Sequence, residues 1–216
     1  MRWPGSDCVI QLVAGVALSI AGIILAAGSS GRMGKGKAEL LWRGTPLLRY
    51  QLEQALAGGL DPVVVVLGAY VEQNSLLVPD GVQVVRNKEW STGRASSIRA
   101  GMAALPEALT GVVFVSLDQP ARKEMLWAVS DTMHNESIIT VWYGGVQGHP
   151  VGFGEQFFPE LHLVDESSFG LRAVIQRHGT IVQRIPLSYP EVVMNLNTPA
   201  QYDAAVALVK GNTHEH

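Results

Sequence analysis

The sequence of 216 residues has little cysteine, few charges and no concentrated basic segment, and each scarcity excludes a class of protein. Its single cysteine, Cys8, excludes an internal disulfide framework and a zinc site of several thiolates, and it fits a reducing cytoplasm. Charged residues make up 16% and hydrophobic residues 47%, which excludes disorder and predicts a well-buried globular fold. The formal net charge is -3 without a stripe of Lys and Arg, so we expect no nucleic-acid partner, because duplex binding requires many neutralised phosphates.

An uncharged run from Cys8 to Gly28 has the length of a membrane span, about 20 residues. Its second half leads directly into a polar glycine loop, which is typical of a buried parallel strand. We therefore predict no membrane partner, with a membrane anchor or signal segment as the alternative. The expected organisation is an extension outside the fold at residues 1–20, a single domain at 21–211 and a tail at 212–216.

After residue 20, short apolar runs alternate with amphipathic segments. Strands are predicted at residues 22–26, 62–67, 82–85, 112–117 and 138–142, and with weaker patterns at 151–154, 181–185 and 192–194. Helices are predicted at residues 47–57, 92–105, 122–133 and 199–209. This alternation predicts an α/β fold of three layers around a doubly wound, mostly parallel sheet. Because ligands of such sheets bind outside the carboxyl ends of the strands, the residues that follow each strand are the candidates for a site.

The loop at residues 25–37 joins glycines, two serines and three cations to the end of the first predicted strand. Glycines let successive backbone N–H groups point at an anion, and Arg32 and Lys37 supply positive charge for a polyphosphate. The glycine spacing does not match the dinucleotide fingerprint, and Ala38 stands where a P-loop carries Ser or Thr. The loop therefore predicts another kind of phosphate cradle, with an ordinary glycine turn and solvated cations as the alternative.

The segment L-A-A-G-x-S-x-R-M-G-x-x-K is complete between Leu25 and Lys37. It resembles the signature of the MobA-like nucleotidyltransferase family, which includes the molybdenum cofactor guanylyl- and cytidylyltransferases, and the resemblance extends from about residue 20 to residue 209. It implies the Rossmann-like fold of nucleotide-diphospho-sugar transferases, with the loop wrapped around a nucleotide triphosphate. The loop residues that it assigns to the nucleotide are Leu25, Ala26, Ala27, Gly28, Ser29, Ser30, Arg32 and Lys37.

Two later segments resemble the cytidylyltransferases in particular. Residues 87–101 match N-x-x-W-x-x-G-x-x-S-S-L-R-A-G except for Ile98 at the leucine, which implies that Ser96 or Ser97 lies near the nucleotide, although such hydroxyls can equally cap a helix. Asp118 follows an apolar strand in a D-Q-P segment, where a carboxylate suits Mg²⁺ or Mn²⁺. The resemblance implies that Asp118 holds a metal ion that bridges nucleotide phosphates, and helix capping is the alternative.

Three further segments concern the second substrate and the metal. Residues 144–151 resemble G-x-x-G-H-P-V, which implies that His149 and Pro150 lie near the acceptor, whereas an isolated histidine is more often structural. Asn197, in a segment that resembles N/D-I-N/D-T-P-x-x-Y, offers a neutral oxygen to the metal. The segment that begins at Glu166 keeps the glycine and Arg172 of G-D-x-G-A-R but lacks its aspartate, so we expect Arg172 to bind a changed acceptor.

The resemblance implies transfer of CMP from CTP to the terminal phosphate of a molybdopterin-type cofactor, with release of pyrophosphate. The expected catalytic residues are Lys37, Arg32 and Asp118, which position the phosphates and neutralise their charge. The expected partners are CTP and the molybdopterin-type acceptor, with a molybdoenzyme or its insertion chaperone as a further candidate. The alternatives are a guanylyl or sugar-phosphate nucleotidyltransferase of the same fold, or a non-catalytic carrier or insertion partner of the molybdenum cofactor.

Overall fold

The structure is a computed structural model that describes residues 19–29, 36–167 and 170–211. Within these residues one sheet has seven strands, and two shorter strands form a separate hairpin. The strands are β1 (Ile20–Ala26), β2 (Leu41–Trp42), β3 (Thr45–Pro46), β4 (Val63–Leu67), β5 (Val82–Arg86), β6 (Gly111–Ser116), β7 (Ile138–Tyr143), β8 (Val146–Gly154) and β9 (Val182–Pro186). The helices are α1 (Leu47–Ala57), α2 (Val71–Ser75), α3 (Arg94–Met102), α4 (Lys123–Thr132), α5 (Phe158–His162), α6 (Leu171–Arg177) and α7 (Pro199–Gly211).

The main sheet has the strand order β5-β4-β1-β6-β8-β7-β9, with β1 near its centre. β1 pairs in parallel with β4 on one side and β6 on the other, and β9 is parallel to β7. β8 is antiparallel to both of its neighbours, β6 and β7. Since β8 alone of the seven described strands runs in the opposite direction, the prediction of a mostly parallel sheet is confirmed.

Two apolar cores lie on the two faces of this sheet, because successive side chains of a strand point to opposite faces. In β1, Ile24 and Ala26 belong to the core that contains α1, α4 and α7. Ile23 and Leu25 belong to the core that contains α3, α5 and α6. Both faces of β1 are covered, which explains its continuous apolar sequence. The three-layer α/β architecture is therefore confirmed.

Most predicted elements lie within a few residues of their observed bounds, and α1 begins and ends where the sequence predicts. The strand predicted at residues 192–194 is wrong, because Pro190–Val193 forms a single 3₁₀ turn. Val192 is fully buried there, so its apolar character reflects packing beneath a helical turn. β8 is longer than predicted because Gly144 and Gly145, both with positive φ, turn the chain directly from β7 into β8.

The uncharged run that resembles a membrane span is a sheet strand where the structure describes it, at residues 20–26. No helix in the described part of the chain is both long enough and apolar enough to cross a membrane. Most of the predicted extension, residues 1–18, and the predicted tail, residues 212–216, lie outside the described residues. Ile20, which was assigned to the extension, is the first residue of β1 and pairs with Gly111.

Candidate active site

Two adjoining pockets open beyond the carboxyl ends of β1 and β6. The first, here the loop pocket, has a volume of about 450 Å³ and is lined by residues 25–29 and by Lys37, Trp90, Gly93, Arg94, Ser97, Ser116, Leu117, Asp118 and Asn197. The second, here the His149 pocket, has a volume of about 640 Å³ and is lined by residues that include Arg94, Ala95, Gln119, Gln147, His149, Glu166 and Arg172. Arg94 lines both, so the two pockets meet at its side chain. The arrangement can hold two substrates side by side.

The described start of the glycine loop lines the first pocket. Leu25, Ala26, Ala27, Gly28 and Ser29 all contribute to its wall. Hydrogen bonds to neighbouring segments hold this chain in place: the carbonyl of Ala27 accepts from the N–H of Ala69 at 2.9 Å. Two other residues assigned to the nucleotide, Ser30 and Arg32, lie outside the described residues.

Lys37, Asp118 and Asn197 meet in the loop pocket although they are far apart in the sequence. The Nζ of Lys37 donates a hydrogen bond to Oδ1 of Asn197 at 2.8 Å. The N–H of Leu196 donates to the carbonyl of Asp118 at 2.8 Å, which fixes the segment before α7 beside the end of β6. A cation, a carboxylate and an amide oxygen are therefore held together at one wall of the pocket.

Asp118 is ionised at neutral pH. Burial raises the pKa of its carboxyl group, but the hydroxyl of Ser116, which donates to Oδ1, and the charges of Lys37 and Arg94 together hold that pKa below its ordinary value. Asp118 and Asn197 offer hard oxygens, which Mg²⁺ and Mn²⁺ prefer. The described residues contain no group of three or more His, Cys, Asp or Glu side chains that could hold a metal ion. A metal ion here would thus need oxygens from nucleotide phosphates and water as well.

Gln51, on α1, fixes the chain around Asp118 and was missed by sequence reasoning. Its buried side chain donates to the carbonyls of Ser116 and Gln119, at 3.1 and 2.8 Å, and accepts from the N–H of Ala121 at 2.9 Å. These three hydrogen bonds all join Gln51 to backbone atoms on either side of Asp118, so Gln51 sets the path of the chain that carries this carboxylate. A glutamine within an amphipathic helix has no local pattern that distinguishes it from a surface residue.

The two serines at the start of α3 have different surroundings. Both are buried, and the Nδ2 of Asn87 donates to both hydroxyls, at 2.9 Å to Ser96 and 3.0 Å to Ser97. Ser96 also donates to the carbonyls of Glu89 and Gly93, so its hydroxyl ties the preceding turn to the helix. Ser97 lines the loop pocket and stays a candidate for nucleotide contact, whereas the lining residues of that pocket do not include Ser96.

His149 and Arg172 line the second pocket, whereas Pro150 is buried and is not one of its lining residues. The Nδ1 atom of His149 is buried and has no hydrogen-bond partner among the described residues. Burial, with the positive charge of Arg94, lowers the pKa of His149 to about 4, although Asp118 opposes this shift. The imidazole is therefore neutral at pH 7, and it can donate or accept a hydrogen bond there without adding charge.

Arg94 and Glu166 are two further site residues that sequence reasoning did not identify. Arg94 is the first residue of α3, where its positive charge is unfavourable beside the positive end of the helix dipole. This placement is a signal in the sequence that could have identified Arg94 as a functional residue. Glu166 belongs to the segment that departs from the family pattern. Its Oε2 accepts the N–H of Ala95 at 3.0 Å, so this carboxylate caps the start of α3. Glu166 therefore has a structural role at the start of α3, within the site.

The sequence is similar to those of several known proteins. The chain is 38% identical over 105 residues to nicotine blue oxidoreductase of Paenarthrobacter nicotinovorans, a match that covers 47% of this chain and half of that protein. It is 27% identical over 188 residues to the probable molybdenum cofactor guanylyltransferase of Trichormus variabilis, covering 84% of this chain and 87% of that protein.

The crystal structure of Rv0371c from Mycobacterium tuberculosis H37Rv superposes with a TM-score of 0.80 and 27% identity, covering 89% of this chain and all of that one. A second structure of Rv0371c is a complex with manganese, and it matches with a TM-score of 0.75 and 24% identity over 88% of this chain and 98% of that one. The expected fold, that of the nucleotide-diphospho-sugar transferases, is confirmed. The model of the MobA-like NTP transferase domain matches residues 22–182, well over half of the sequence, and the chain therefore belongs to that family.

Proposed function

We propose that this protein is a nucleotidyltransferase that transfers CMP from CTP to the terminal phosphate of a molybdopterin-type cofactor and releases pyrophosphate. The observation that carries the proposal is the pair of adjoining pockets at the carboxyl edge of the sheet. One has the glycine loop, Lys37 and Asp118 in its wall, as a triphosphate and its metal ion require. The other offers His149 and Arg172 to a second substrate. Molybdenum cofactor biosynthesis is supported by the match to the guanylyltransferase of Trichormus variabilis.

The chemistry requires positioning and charge neutralisation more than proton transfer. The attacking phosphate of the acceptor is already anionic, so the protein need not supply a general base. Lys37, with Arg32, stabilises the negative charge of the departing pyrophosphate. Asp118 and Asn197 would hold Mg²⁺ or Mn²⁺, which supplies neutralisation of phosphate charge when bound. Gln51 keeps the chain around Asp118 in one arrangement before the substrates arrive.

There are two alternatives to CMP transfer from CTP for this chain: transfer from GTP, and a carrier without catalytic activity. Asparagines at 195 and 197 and the match to a guanylyltransferase favour GTP, whereas the D-Q-P and G-H-P segments favour CTP. The changed segment at Glu166 is the one feature that favours a non-catalytic carrier of the molybdenum cofactor or an insertion partner. Since Glu166 caps α3 beside the cleft, that segment is compatible with an active enzyme. A molybdoenzyme or its insertion chaperone is the proposed protein partner in the cytoplasm.

Thermal unfolding with CTP, GTP, ATP and UTP, each with and without Mg²⁺, tests the proposal. A ligand that binds only the folded protein raises its stability by about 2.7 kcal/mol at 100 times its dissociation constant. We expect the largest magnesium-dependent shift with CTP and a much smaller one for the Asp118→Asn variant. A larger shift with GTP would replace CTP by GTP in the proposal. If none of the four nucleotides shifts the unfolding temperature, the result would contradict nucleotidyl transfer and favour the non-catalytic carrier.

A further inference from the structure

We propose that Arg94 binds the attacking phosphate of the acceptor at the junction of the two pockets, and that Glu166 positions Arg94 and weakens its positive potential until that phosphate arrives. This inference rests on the proposed function, because it assumes a nucleotide in the loop pocket and a phosphorylated acceptor in the His149 pocket. Neither residue was assigned a role in binding phosphate by the sequence patterns.

Arg94 stands on the boundary between the two pockets. Its preceding neighbour, Gly93, lines only the loop pocket, and its following neighbour, Ala95, lines only the His149 pocket. The same division recurs on the opposite segment, where Asp118 lines the first pocket and Gln119 the second. A phosphate of the acceptor must reach this boundary to attack a nucleotide in the loop pocket, so Arg94 lies where the two substrates meet.

The guanidinium of Arg94 is placed to receive an anion. The nearby carboxylates of Asp118 and Glu166 favour the charged form of this guanidinium. Among the described residues, no carboxylate lies within 4.0 Å of this guanidinium as an ion-pair partner. Arginine presents several N–H donors in one plane, which matches two oxygens of a phosphate. The Arg94 side chain is exposed where the two pockets meet, so a phosphate can reach its guanidinium.

Glu166 is held against the start of α3 by two contacts. Its Oε2 accepts the N–H of Ala95 at 3.0 Å. Its side chain also packs directly over Gly93, since a Cβ built on that glycine would lie 2.5 Å from the carboxylate. Gly93 has a φ of 129°, so both its backbone conformation and its surroundings exclude a larger residue. The negative charge of Glu166 is thus fixed beside Arg94, where it opposes the binding of another anion.

The transfer itself needs no group beyond those already named. An oxygen of the acceptor phosphate forms a bond to the α-phosphorus of the nucleotide, and the bond from that phosphorus to the bridging oxygen of pyrophosphate breaks. The pyrophosphate leaves with the bonding electron pair, and no proton or oxidant is consumed. Arg94 would hold the oxygens of the acceptor phosphate that do not attack, which aligns the attacking oxygen.

Calorimetric titration with a substitute for each substrate tests the inference. The protein is saturated with Mg²⁺ and α,β-methylene-CTP, which cannot transfer its nucleotidyl group, and phenyl phosphate is then added as the phosphate monoester. For Arg94→Gln we expect phenyl phosphate to bind about tenfold more weakly, because a charge-assisted hydrogen bond is lost, with little change for the nucleotide analogue. For Glu166→Gln we expect tighter binding of phenyl phosphate, about threefold or more, because a competing charge is removed while the amide oxygen still caps α3.

The matched control is Arg49→Gln, which makes the same chemical change at an exposed position of α1 and should alter neither titration. Thermal unfolding of each variant verifies that it is folded. Weaker binding of phenyl phosphate to Glu166→Gln would overturn the assigned role of its charge, since a merely structural residue gives that result. If Arg94→Gln weakens only the nucleotide analogue, or if the wild-type protein binds the analogue but not phenyl phosphate, the inference is overturned and the proposed function remains. A wild-type protein that does not bind the analogue overturns the proposed function itself.

Discussion

The folded protein should lose stability in mild acid because His149 is protonated more readily in the unfolded chain, and His149→Gln should remove that loss. The pKa of this imidazole falls from 6.5 to about 4 on folding, because burial and the charge of Arg94 disfavour the protonated form. Above pH 6.5 both folded and unfolded chains carry the neutral ring, so His149 contributes no pH dependence there. Between that pH and about 4, the unfolded chain binds a proton that the folded chain does not, and stability decreases.

The size of the effect follows from the two pKa values. Their separation lowers the unfolding free energy by about 3 kcal/mol once the histidine is protonated in both states, and by about 2 kcal/mol at pH 5. The assay is urea unfolding of the wild-type protein and of His149→Gln at several values between pH 7.5 and about 4.5. We expect the difference in unfolding free energy between the two proteins to change by about 2 kcal/mol between pH 7.5 and 5. His162→Gln, which changes an exposed histidine on α5, is the control.

Parallel pH profiles for the wild-type protein and His149→Gln would refute the reasoning. Such a result would mean that the imidazole is protonated as readily in the folded chain as in the unfolded chain. It would also contradict the conclusion that His149 is neutral in the His149 pocket at pH 7. A direct titration of the imidazole resonances by NMR distinguishes this outcome from an unfolded state with residual structure.

Three further changes should separate catalytic from structural roles. Asp118→Asn should abolish pyrophosphate release and magnesium-dependent nucleotide binding, because the carboxylate is the charged oxygen ligand of the proposed site; wild-type-like release would contradict the metal assignment. Lys37→Ala should lower kcat by about 10²-fold with a smaller change in KM for CTP, as measured by pyrophosphate release; an unchanged kcat would count against its role on the leaving group. Gly148→Ala should destabilise the protein by roughly 1–3 kcal/mol or more in urea unfolding, as overpacked sites do. A Cβ at position 148 would lie 1.7 Å from the carbonyl oxygen of Val192. Gly28→Ala is the control, because no atom of the described residues lies within 4 Å of the Cβ added there, and equal stability of the two variants would refute the close approach at Gly148.

Features of the fold that depend on residues adjacent in the sequence were predictable. The continuous apolar runs of β1 and β4 indicate strands covered on both faces, and Pro46 with Gly58 marks the ends of α1. The glycine loop after β1 is a local signal of the same kind. The strand predicted at residues 192–194 failed because of tertiary packing. The apolar residues near Val192 contribute to the core from a 3₁₀ turn, and β8 packs directly against that turn.

The sequence by itself determined the α/β class, the family resemblance and the identity of the residues in the glycine loop, because each is written in a contiguous segment. Only the tertiary structure placed Lys37 against Asn197, 160 positions apart, and brought Arg94 near Asp118 and Glu166. Such proximity depends on strand order and loop packing, which no short segment specifies. The pKa of His149 and the capping role of Glu166 likewise depend on neighbours that the fold supplies. The sequence therefore determined which groups are present, and the fold decided which of them meet at the boundary of the two pockets.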